Sequence, residues 1–242
     1  MQILLVVAPV FATNCCVVVA GPSGRDADCV VVDAGAGTAP EVEALVAERR
    51  LTPRAVLATH GHVDHTWDAA ALCARYGVPL RVHAADAYRL SDPFGTLGLD
   101  DARRGGGDPG VSGALAQALA ATGRRPEDYR VPDVVEPFGA GAGAAPGDEG
   151  DLVAGAVRLR ALHAPGHTEG STLLVAGDVV LAGDVLFAGG VGRTDLPGGD
   201  AATMARTLRD VVGRLDPELG VVPGHGPTTT VGRELATNPY LR

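Results

Sequence analysis

Three histidines and one aspartate occur within six residues in the segment 59–65, which reads THGHVDH. A β-rich apolar run over residues 54–58 precedes the cluster, and apolar residues with helical spacing follow it over residues 67–76. The end of a strand and the start of a helix can direct all four side chains at one point. Because so dense a polar cluster is hard to explain by packing, it predicts one half of a metal site.

The composition limits the chemistry and the partners. Apolar residues make up 46% of the 242 residues and charged residues 20%, as expected for a globular protein with a hydrophobic core. The formal net charge of −9 disfavours binding to nucleic acid or to an anionic membrane surface. All 20 basic residues are arginines, which excludes lysine Schiff-base chemistry and a P-loop lysine.

The cysteines and the first residues bear on the cellular compartment. Cys15, Cys16, Cys29 and Cys73 form no C-x-x-C pair, and the first two lie in an apolar run that suits buried thiols. The first eleven residues are apolar, but they lack a basic region and are too short to span a bilayer. We therefore expect a cytoplasmic protein without a membrane partner. The sequence does not indicate the oligomeric state.

Strand and helix patterns occur in two similar series. Strands are predicted over residues 3–7, 15–20, 29–32, 54–58, 80–83, 156–162, 172–176, 179–181 and 220–222. Helices are predicted over residues 40–50, 67–76, 84–90, 112–121 and 200–215. The first three strands are expected to form an antiparallel meander. The whole order indicates two mixed sheets packed face to face, with helices outside.

The middle of the chain has a weaker pattern. Between residues 92 and 150 only the helix over 112–121 is predicted, and the runs 105–107 and 139–150 are rich in Gly and Ala. These runs favour a partly mobile insertion that serves as a surface linker, with a cover over the active site as the alternative. We expect a single domain that spans residues 1–242.

Three further polar side chains follow later predicted strands and lie beside glycines: His167, Asp184 and His225. Glycine lets the backbone turn sharply and approach a ligand closely. Imidazole and carboxylate groups suit zinc, and also iron or manganese. With the first cluster they give seven candidate ligands. Seven are too many for one four-coordinate ion, but they suit two ions about 3.5–4 Å apart that share a bridging carboxylate.

The candidate ligands divide between two divalent metal ions, for which Zn²⁺ is the first choice. The first ion is assigned His60, His62 and His167, and the second is assigned Asp64, His65 and His225. Asp184 is expected to bridge the two ions, and Asp64 is also a candidate proton acceptor. The competing interpretation, buried caps and hydrogen-bond partners, is disfavoured by the size of the set.

Three side chains outside this set need separate interpretations. His163 either orients a metal ligand or simply packs in the core. Asp33 ends a strand, so it either supports a ligand or forms a turn. His83 lies in a predicted strand and is expected to be an ordinary half-buried residue.

The order H-x-H-x-D-H followed by His167, Asp184 and His225 resembles the metallo-β-lactamase superfamily over nearly the whole chain. This resemblance implies an α/β (α+β) fold, a four-layer αβ/βα sandwich with the metal site at one edge. Within the superfamily, the chain is most similar to short bacterial glyoxalase II-like hydrolases. The similar segments are Thr13-Asn14-Cys15, residues 192–200 and residues 237–241.

The resemblance implies a metal-dependent hydrolase that cleaves S-2-hydroxyacyl thioesters of a low-molecular-weight thiol by a metal-bridging hydroxide. Classical glyoxalase II enzymes use a C-terminal helical domain to help hold glutathione, and this chain is expected to lack most of it. Their Lys and Tyr after the Gly-rich turn correspond here to Arg193 and Asp195. Arg193 is therefore a candidate for binding a substrate carboxylate, with a salt bridge to Asp195 or Asp200 as the alternative.

Other functions remain open on the sequence. Persulfide dioxygenases resemble the chain at its Gly-Arg-Thr-Asp turn and hold a single iron with a subset equivalent to His60, His167 and Asp184. A lactonase requires the same hydroxide, and a non-catalytic metal-binding protein would keep the fold alone. Metal content and reaction with a thioester, a lactone or a thiol persulfide distinguish these alternatives.

Overall fold

The computed structural model describes residues 1–98, 109–141 and 143–242. The strands of this part of the chain are β1 (Gln2–Val7), β2 (Asn14–Val19), β3 (Asp28–Val32), β4 (Thr52–Leu57), β5 (Leu80–His83), β6 (Val135–Phe138), β7 (Gly147–Ala154), β8 (Val157–His163), β9 (Thr172–Ala176), β10 (Val179–Gly183), β11 (Leu186–Phe187), β12 (Gly190–Val191), β13 (Gly220–Pro223) and β14 (Thr229–Thr230). The α-helices are α1 (Ala39–Arg49), α2 (Val63–Thr66), α3 (Ala69–Tyr76), α4 (Pro109–Ala121), α5 (Ala201–Asp210) and α6 (Val231–Thr237). Short 3₁₀ helices cover Ala84–Leu90, Gly95–Leu97, Pro126–Asp128, Val212–Arg214 and Pro239–Leu241.

Two six-stranded mixed sheets form the centre of the fold. The first has the order β1-β2-β3-β4-β5-β6, and the second has the order β14-β13-β10-β9-β8-β7. Strands β1, β2 and β3 are antiparallel, which confirms the predicted meander, and β3 to β6 run parallel. In the second sheet, β10 and β13 are parallel neighbours. This arrangement brings the ends of several strands to the same edge.

Strand β2 shows why a central strand has a continuous apolar sequence. Successive side chains of a strand point to opposite faces of its sheet. Cys15 and Val17 therefore pack in one hydrophobic cluster, together with Val42 of α1 and Leu72 of α3. Their neighbours on the strand, among them Val18, face the second sheet. Both faces are covered, so no position on the strand can be polar without a partner.

The two sheets pack against each other through one cluster of branched aliphatic side chains. Val30 and Leu57 of the first sheet meet Leu159 and Leu174 of the second. The outer face of the second sheet is covered by α5, whose Met204 packs there. The layers are therefore helix, sheet, sheet and helix, which is the four-layer αβ/βα sandwich that the resemblance implied. Among the described residues, no helix is long and apolar enough to cross a membrane.

The segment between residues 92 and 150 contains more regular structure than the sequence indicated. Strand β6 pairs with β5 and completes the first sheet, and β7 pairs with β8 along the edge of the second. The predicted linker over 139–150 is therefore wrong for its last four residues. Strand β6 has only four residues and contains Pro137, and β7 is rich in glycine and acidic residues, so the strand pattern of both is weak. The Gly-rich run 105–107 lies outside the described residues.

Two predicted helices have different limits in the structure. The helix predicted over 67–76 is preceded by the separate turn α2, which carries Asp64 and His65. The helix predicted over 200–215 ends at Asp210 and continues as a 3₁₀ turn. Asp200 does not belong to the helix but caps it, because its side chain accepts a hydrogen bond of 2.6 Å from the Thr203 amide.

Truncation of a side chain between the two sheets tests this architecture. Leu159→Ala removes a buried side chain from the cluster between the sheets, so we expect the free energy of unfolding to fall by about 2–5 kcal/mol. The matched control is Val153→Ala on the adjacent strand, where the side chain is exposed, with an expected loss below about 1 kcal/mol. Urea denaturation measures both. Equal losses would contradict the face-to-face packing of the sheets.

Candidate metal centre

The seven predicted ligands all lie at one edge of the two sheets. His60 and His62 follow β4, and Asp64 and His65 belong to α2 directly after them. The other three, His167, Asp184 and His225, come after β8, β10 and β13. Because β10 and β13 run parallel, the loops after them leave the sheet at the same edge. The order of the strands therefore brings together side chains that are up to 165 residues apart in the sequence.

The first group consists of His60, His62 and His167, all buried. The Nδ1 atom of His62 lies 3.1 Å from Nε2 of His60 and 3.0 Å from Nε2 of His167. Nitrogen ligands of a tetrahedral zinc ion lie about 3.3 Å from each other, so the spacing is close to that of a metal site. The three ring planes are nearly perpendicular, at 80° to 87°. Their lone pairs can therefore converge on one point.

The second group consists of Asp64, His65 and His225. The Nε2 atoms of the two histidines are 3.2 Å apart, and their ring planes meet at 88°. The Asp64 Oδ2 atom lies 3.3 Å from Nε2 of His225 and 3.8 Å from Nε2 of His65. The side chain of His225 is 25% exposed, whereas that of His65 is fully buried. The centre therefore opens to solvent on the His225 side.

Asp184 lies between the two groups and has one carboxylate oxygen near each. Oδ1 lies 3.4 Å from Nε2 of His65 and 3.6 Å from Nε2 of His225, while Oδ2 lies 3.6 Å from Nε2 of His167. Oδ1 is buried and has no hydrogen-bond partner among the described residues. A buried carboxylate oxygen without a partner is costly, and a cation would satisfy it. The donor set therefore fits metal ions.

The local charges favour the protonation states that ligands need at His60, His62, Asp64 and Asp184, whereas the neighbouring carboxylates raise the pKa of His65 and of His225. Burial lowers the pKa of His60 and of His62, and neighbouring imidazoles lower both further. Burial by itself would raise the pKa of Asp64 and of Asp184, but the surrounding imidazoles, His65 first among them, hold both below the usual value. Neutral imidazoles and ionised carboxylates are the forms that bind metals.

Polar partners fix the orientation of four of the imidazole rings at the nitrogen that points away from the centre: three are hydrogen-bond partners, and the contact of His65 with Asp33 is an ion pair. The partners are Oγ1 of Thr59 for His60 Nδ1 (3.2 Å), Oδ2 of Asp33 for His65 Nδ1 (3.0 Å), the carbonyl of Arg193 for His167 Nδ1 (2.8 Å) and the carbonyl of Phe11 for His225 Nδ1 (2.9 Å). Such partners set the tautomer and raise the basicity of a ligand.

Asp33 occupies the supporting position that was one of its two interpretations. Its Oδ2 atom contacts His65 and accepts a hydrogen bond of 2.8 Å from Oγ1 of Thr59. Its Oδ1 atom accepts a hydrogen bond of 2.8 Å from the Thr59 amide. The backbone of Asp33 has a φ of 58°, an uncommon conformation for a residue other than glycine. The side chain thus connects the ends of β3 and β4 to a predicted ligand of the second group.

The N-terminal segment holds His225 in place. The sequence indicated this segment only through the resemblance at residues 13–15. Asn14 Nδ2 donates hydrogen bonds of 2.9 Å to the carbonyls of Pro223 and Gly226, on both sides of His225. The Phe11 carbonyl contacts the ring itself. A backbone carbonyl has no sequence signal, because every residue has one.

Arg193 contacts the centre through its backbone and not through its guanidinium. The guanidinium forms two hydrogen bonds with Asp195, of 2.7 and 2.8 Å, which is one of the two salt bridges considered from the sequence. This interaction lowers the pKa of Asp195 to about 2. The carbonyl of Arg193 meets His167. Arg193 therefore helps to orient His167 through its backbone carbonyl, independently of its side chain.

His163 and His83 form a separate cluster with Glu149. His163 contacts the carbonyls of Glu169 (Nε2, 2.8 Å) and Ala145 (Nδ1, 3.3 Å), so its ring nitrogens face backbone atoms instead of a predicted ligand. His83 is fully buried, not half-buried as expected, because it stacks on His163 with ring centroids 4.2 Å apart.

The stacked geometry argues against a metal ion shared by His83 and His163. Their ring planes are parallel within 9° and offset, and an imidazole binds a metal in its own plane. One ion cannot lie in two parallel planes at once. The possible ligand atoms of this cluster lie within 4.8 Å of one another, as do those of each group of the main centre, but its two imidazole rings do not converge on one point.

A family model and individual relatives match the chain. The family model described as "Metallo-beta-lactamase superfamily" matches residues 8–225. An uncharacterized protein of Mycobacterium tuberculosis is 35% identical over 97% of this chain and 95% of its own length. The hydroxyacylglutathione hydrolase GloC of Haemophilus influenzae is 27% identical over 100% of this chain and 98% of its own. A crystal structure of TTHA1623 in a di-iron-bound form superposes with a TM-score of 0.72 at 29% identity, covering 98% of this chain and 100% of the other.

The buried pair of His83 and His163 predicts a loss of stability in acid. Burial lowers the pKa of His83, and the His163 imidazole lowers it further, against the opposing charges of Glu149 and Asp86. Below pH about 6.5 the unfolded chain therefore binds a proton at this position that the folded chain does not. The free energy of unfolding should fall with decreasing pH, with a contribution of up to about 1.4 kcal/mol per pH unit from this group.

Urea denaturation of the metal-loaded protein between pH 7.5 and 5.5 measures this slope. The comparison is His83→Asn, whose carbonyl oxygen can still accept the hydrogen bond that the Ala85 amide gives to His83. We expect a shallower slope in the variant. An identical slope in both proteins would show that His83 does not contribute to the acid sensitivity.

Proposed function

Because this chain belongs to the metallo-β-lactamase superfamily, we propose that it is a hydrolase with two metal ions that cleaves thioesters. The proposed substrates are S-2-hydroxyacyl derivatives of a low-molecular-weight thiol. The products are a hydroxy acid and the free thiol. The first choice for both ions is Zn²⁺, with iron and manganese as alternatives for the same ligands.

The position of Asp184 is the observation that carries the dinuclear proposal. One of its oxygens lies near the imidazoles of His65 and His225, and the other lies near His167. A single ion would not need a complete second group of Asp64, His65 and His225. We therefore assign His60, His62 and His167 to one ion and the second group to the other, with Asp184 shared.

The residues supply binding, orientation and proton acceptance. When bound, the metal ions would provide a water deprotonated near neutral pH and would polarise the substrate carbonyl. The imidazoles of His60, His65, His167 and His225 are held in place by the partners of their outer nitrogens. The pKa of the Asp64 carboxylate is held below its usual value by His65 and His225, against the effect of burial, so the group is ionised and can hold a cation at Oδ2. Asp64 is also the candidate proton acceptor, although a lowered pKa makes it a weak base.

Two arguments support a thioester over other carbonyl substrates. A thiol has a pKa of about 8.5, so a thiolate leaves near neutral pH without protonation by a general acid. Among the relatives, the Haemophilus influenzae protein that matches this chain along its whole length is described as a hydroxyacylglutathione hydrolase.

The di-iron form of TTHA1623 supports iron as an alternative metal.

Metal analysis combined with a substrate screen tests the proposal. We expect two metal ions per chain and hydrolysis of S-lactoylglutathione or of another S-2-hydroxyacyl thiol. The screen includes a lactone and a thiol persulfide at equal concentrations. One iron ion per chain, with oxygen consumption on the persulfide, would instead establish a dioxygenase. Turnover of the lactone alone would establish a lactonase.

Asp184→Ala is the matched variant for the dinuclear assignment. Without the shared carboxylate, we expect weaker binding of both ions and a loss of thioester hydrolysis of at least about 100-fold. Elemental analysis and the thioester assay measure the two effects. A variant that keeps full activity with two ions would contradict a bridging role for Asp184.

Arg193→Ala tests whether the guanidinium binds the substrate. Because the group is exposed and already paired with Asp195, we expect kcat/KM to change by less than about threefold, the size of a surface ion pair. The carbonyl that contacts His167 remains in the variant, so the metal content should not change. An increase in KM of more than about tenfold with constant kcat would identify Arg193 as a substrate contact.

A further inference from the structure

Asp86 is a buried carboxylate that contacts both loops of the first histidine group. It lies in the 3₁₀ helix after β5 and has no exposed surface. Its Oδ2 atom accepts hydrogen bonds from the Gly61 amide (2.8 Å) and from Thr168 Oγ1 (2.7 Å). Gly61 separates His60 from His62, and Thr168 follows His167. One oxygen atom therefore binds two residues, Gly61 and Thr168, that are sequence neighbours of all three predicted ligands of the first ion.

The other oxygen of the same carboxylate strengthens this connection. Oδ1 accepts hydrogen bonds from the Gly170 amide (2.8 Å) and from Nε of Arg89 (3.2 Å). Arg89 is fully buried and also bonds to Glu169 and to the Pro197 carbonyl (3.1 Å). Pro197 belongs to the turn whose Arg193 carbonyl holds His167. The pair of Asp86 and Arg89 thus contacts three loops around the first group.

Two glycines provide independent support, because a side chain at either position would collide with Asp86, and at Gly61 also with Arg89. A Cβ atom on Gly61 would lie 2.8 Å from the Asp86 carbonyl and 3.0 Å from the Arg89 side chain. A Cβ atom on Gly170 would lie 2.7 Å from Cγ of Asp86. The glycine between the two histidines of the H-x-H motif is therefore explained by close approach to Asp86. Both loops therefore approach Asp86 closely, the first at its backbone carbonyl and the second at its side chain.

We propose that Asp86 is a positioning residue that holds His60, His62 and His167 in the geometry of the first metal site. This inference rests on the proposed metal centre. It adds that Asp86 is the reason for the geometry of the first site. Among the described residues, no hydrogen bond or ion pair joins the Asp86 carboxylate to the side chain of a predicted ligand. Asp86 acts through the Gly61 amide on one side and through Thr168 and Gly170 on the other.

Asp86→Asn is a sharp test, because an amide cannot replace this carboxylate in either orientation. Each carboxylate oxygen accepts a hydrogen bond from a backbone amide, one from Gly61 and the other from Gly170. In either orientation, the NH₂ group of asparagine would therefore face the N–H of one of these amides. We expect the affinity for one of two Zn²⁺ ions to fall about 10–100-fold, while the second ion keeps its affinity. Titration with Zn²⁺ against a chelating dye measures both affinities, and Co²⁺ spectra report on the coordination geometry.

A matched control separates positioning from general stability. Glu234 is also a buried carboxylate and accepts hydrogen bonds from a backbone amide, a threonine hydroxyl and a side-chain amide, but it contacts no predicted ligand loop. Glu234→Gln should therefore lower the free energy of unfolding without changing either Zn²⁺ affinity. A purely structural Asp86 would give the same result as this control.

Thr168 provides a second pair of variants that does not depend on the folding of Asp86→Asn. Thr168→Val removes the hydroxyl that donates a hydrogen bond to Asp86. We expect this variant to lower the affinity for the same Zn²⁺ ion by about tenfold. Thr168→Ser keeps the hydroxyl and should restore the affinity. Wild-type Zn²⁺ affinities in both Asp86→Asn and Thr168→Val would overturn the proposal. Because the measurement is of metal binding, a wild-type protein that binds two ions without cleaving thioesters would refute the proposed substrate and leave the role of Asp86 supported.

Discussion

The carboxylate of Asp184 lies between two groups of imidazoles with its Oδ1 atom buried, and the charge balance at this edge of the sandwich depends on it. Asp33, Asp64 and Asp184 lie within a few ångströms of His65, whose pKa burial would lower but these carboxylates raise. An excess of buried negative charge of this kind is costly unless cations or protons neutralise it. The ligand groups on both sides of Asp184 give two positions where metal ions would do so.

Residues around the centre hold the predicted ligands and their loops through specific contacts. Asp33 connects the first sheet to His65, the carbonyls of Phe11 and Arg193 orient His225 and His167, and Asn14 holds the loop that carries His225. Asp86 joins the loops of the first group. These contacts come from segments far apart in the chain, so the geometry of the centre depends on the complete sandwich and not on the THGHVDH segment alone.

The two histidine clusters show why proximity is not sufficient to identify a metal site. Both have nitrogen and oxygen atoms close enough to share an ion. In the centre the rings meet at steep angles, whereas His83 and His163 are stacked in parallel planes and bond to the backbone. The first arrangement suits a metal because lone pairs lie in the ring plane. The second suits a buried packing pair at the junction of β5 and β8.

The sequence by itself determined the layers of the fold and the set of candidate ligands. Periodicity shows which strands are buried on both faces, and the spacing of His and Asp beside glycines shows which side chains can meet at the strand ends. It did not determine β6 and β7, because a four-residue strand with a proline and a strand rich in glycine and acidic residues have a weak pattern. Only the tertiary structure decided the roles of Asp86, Glu149 and the carbonyls of Phe11 and Arg193. Their contacts depend on distances between loops that no local pattern encodes.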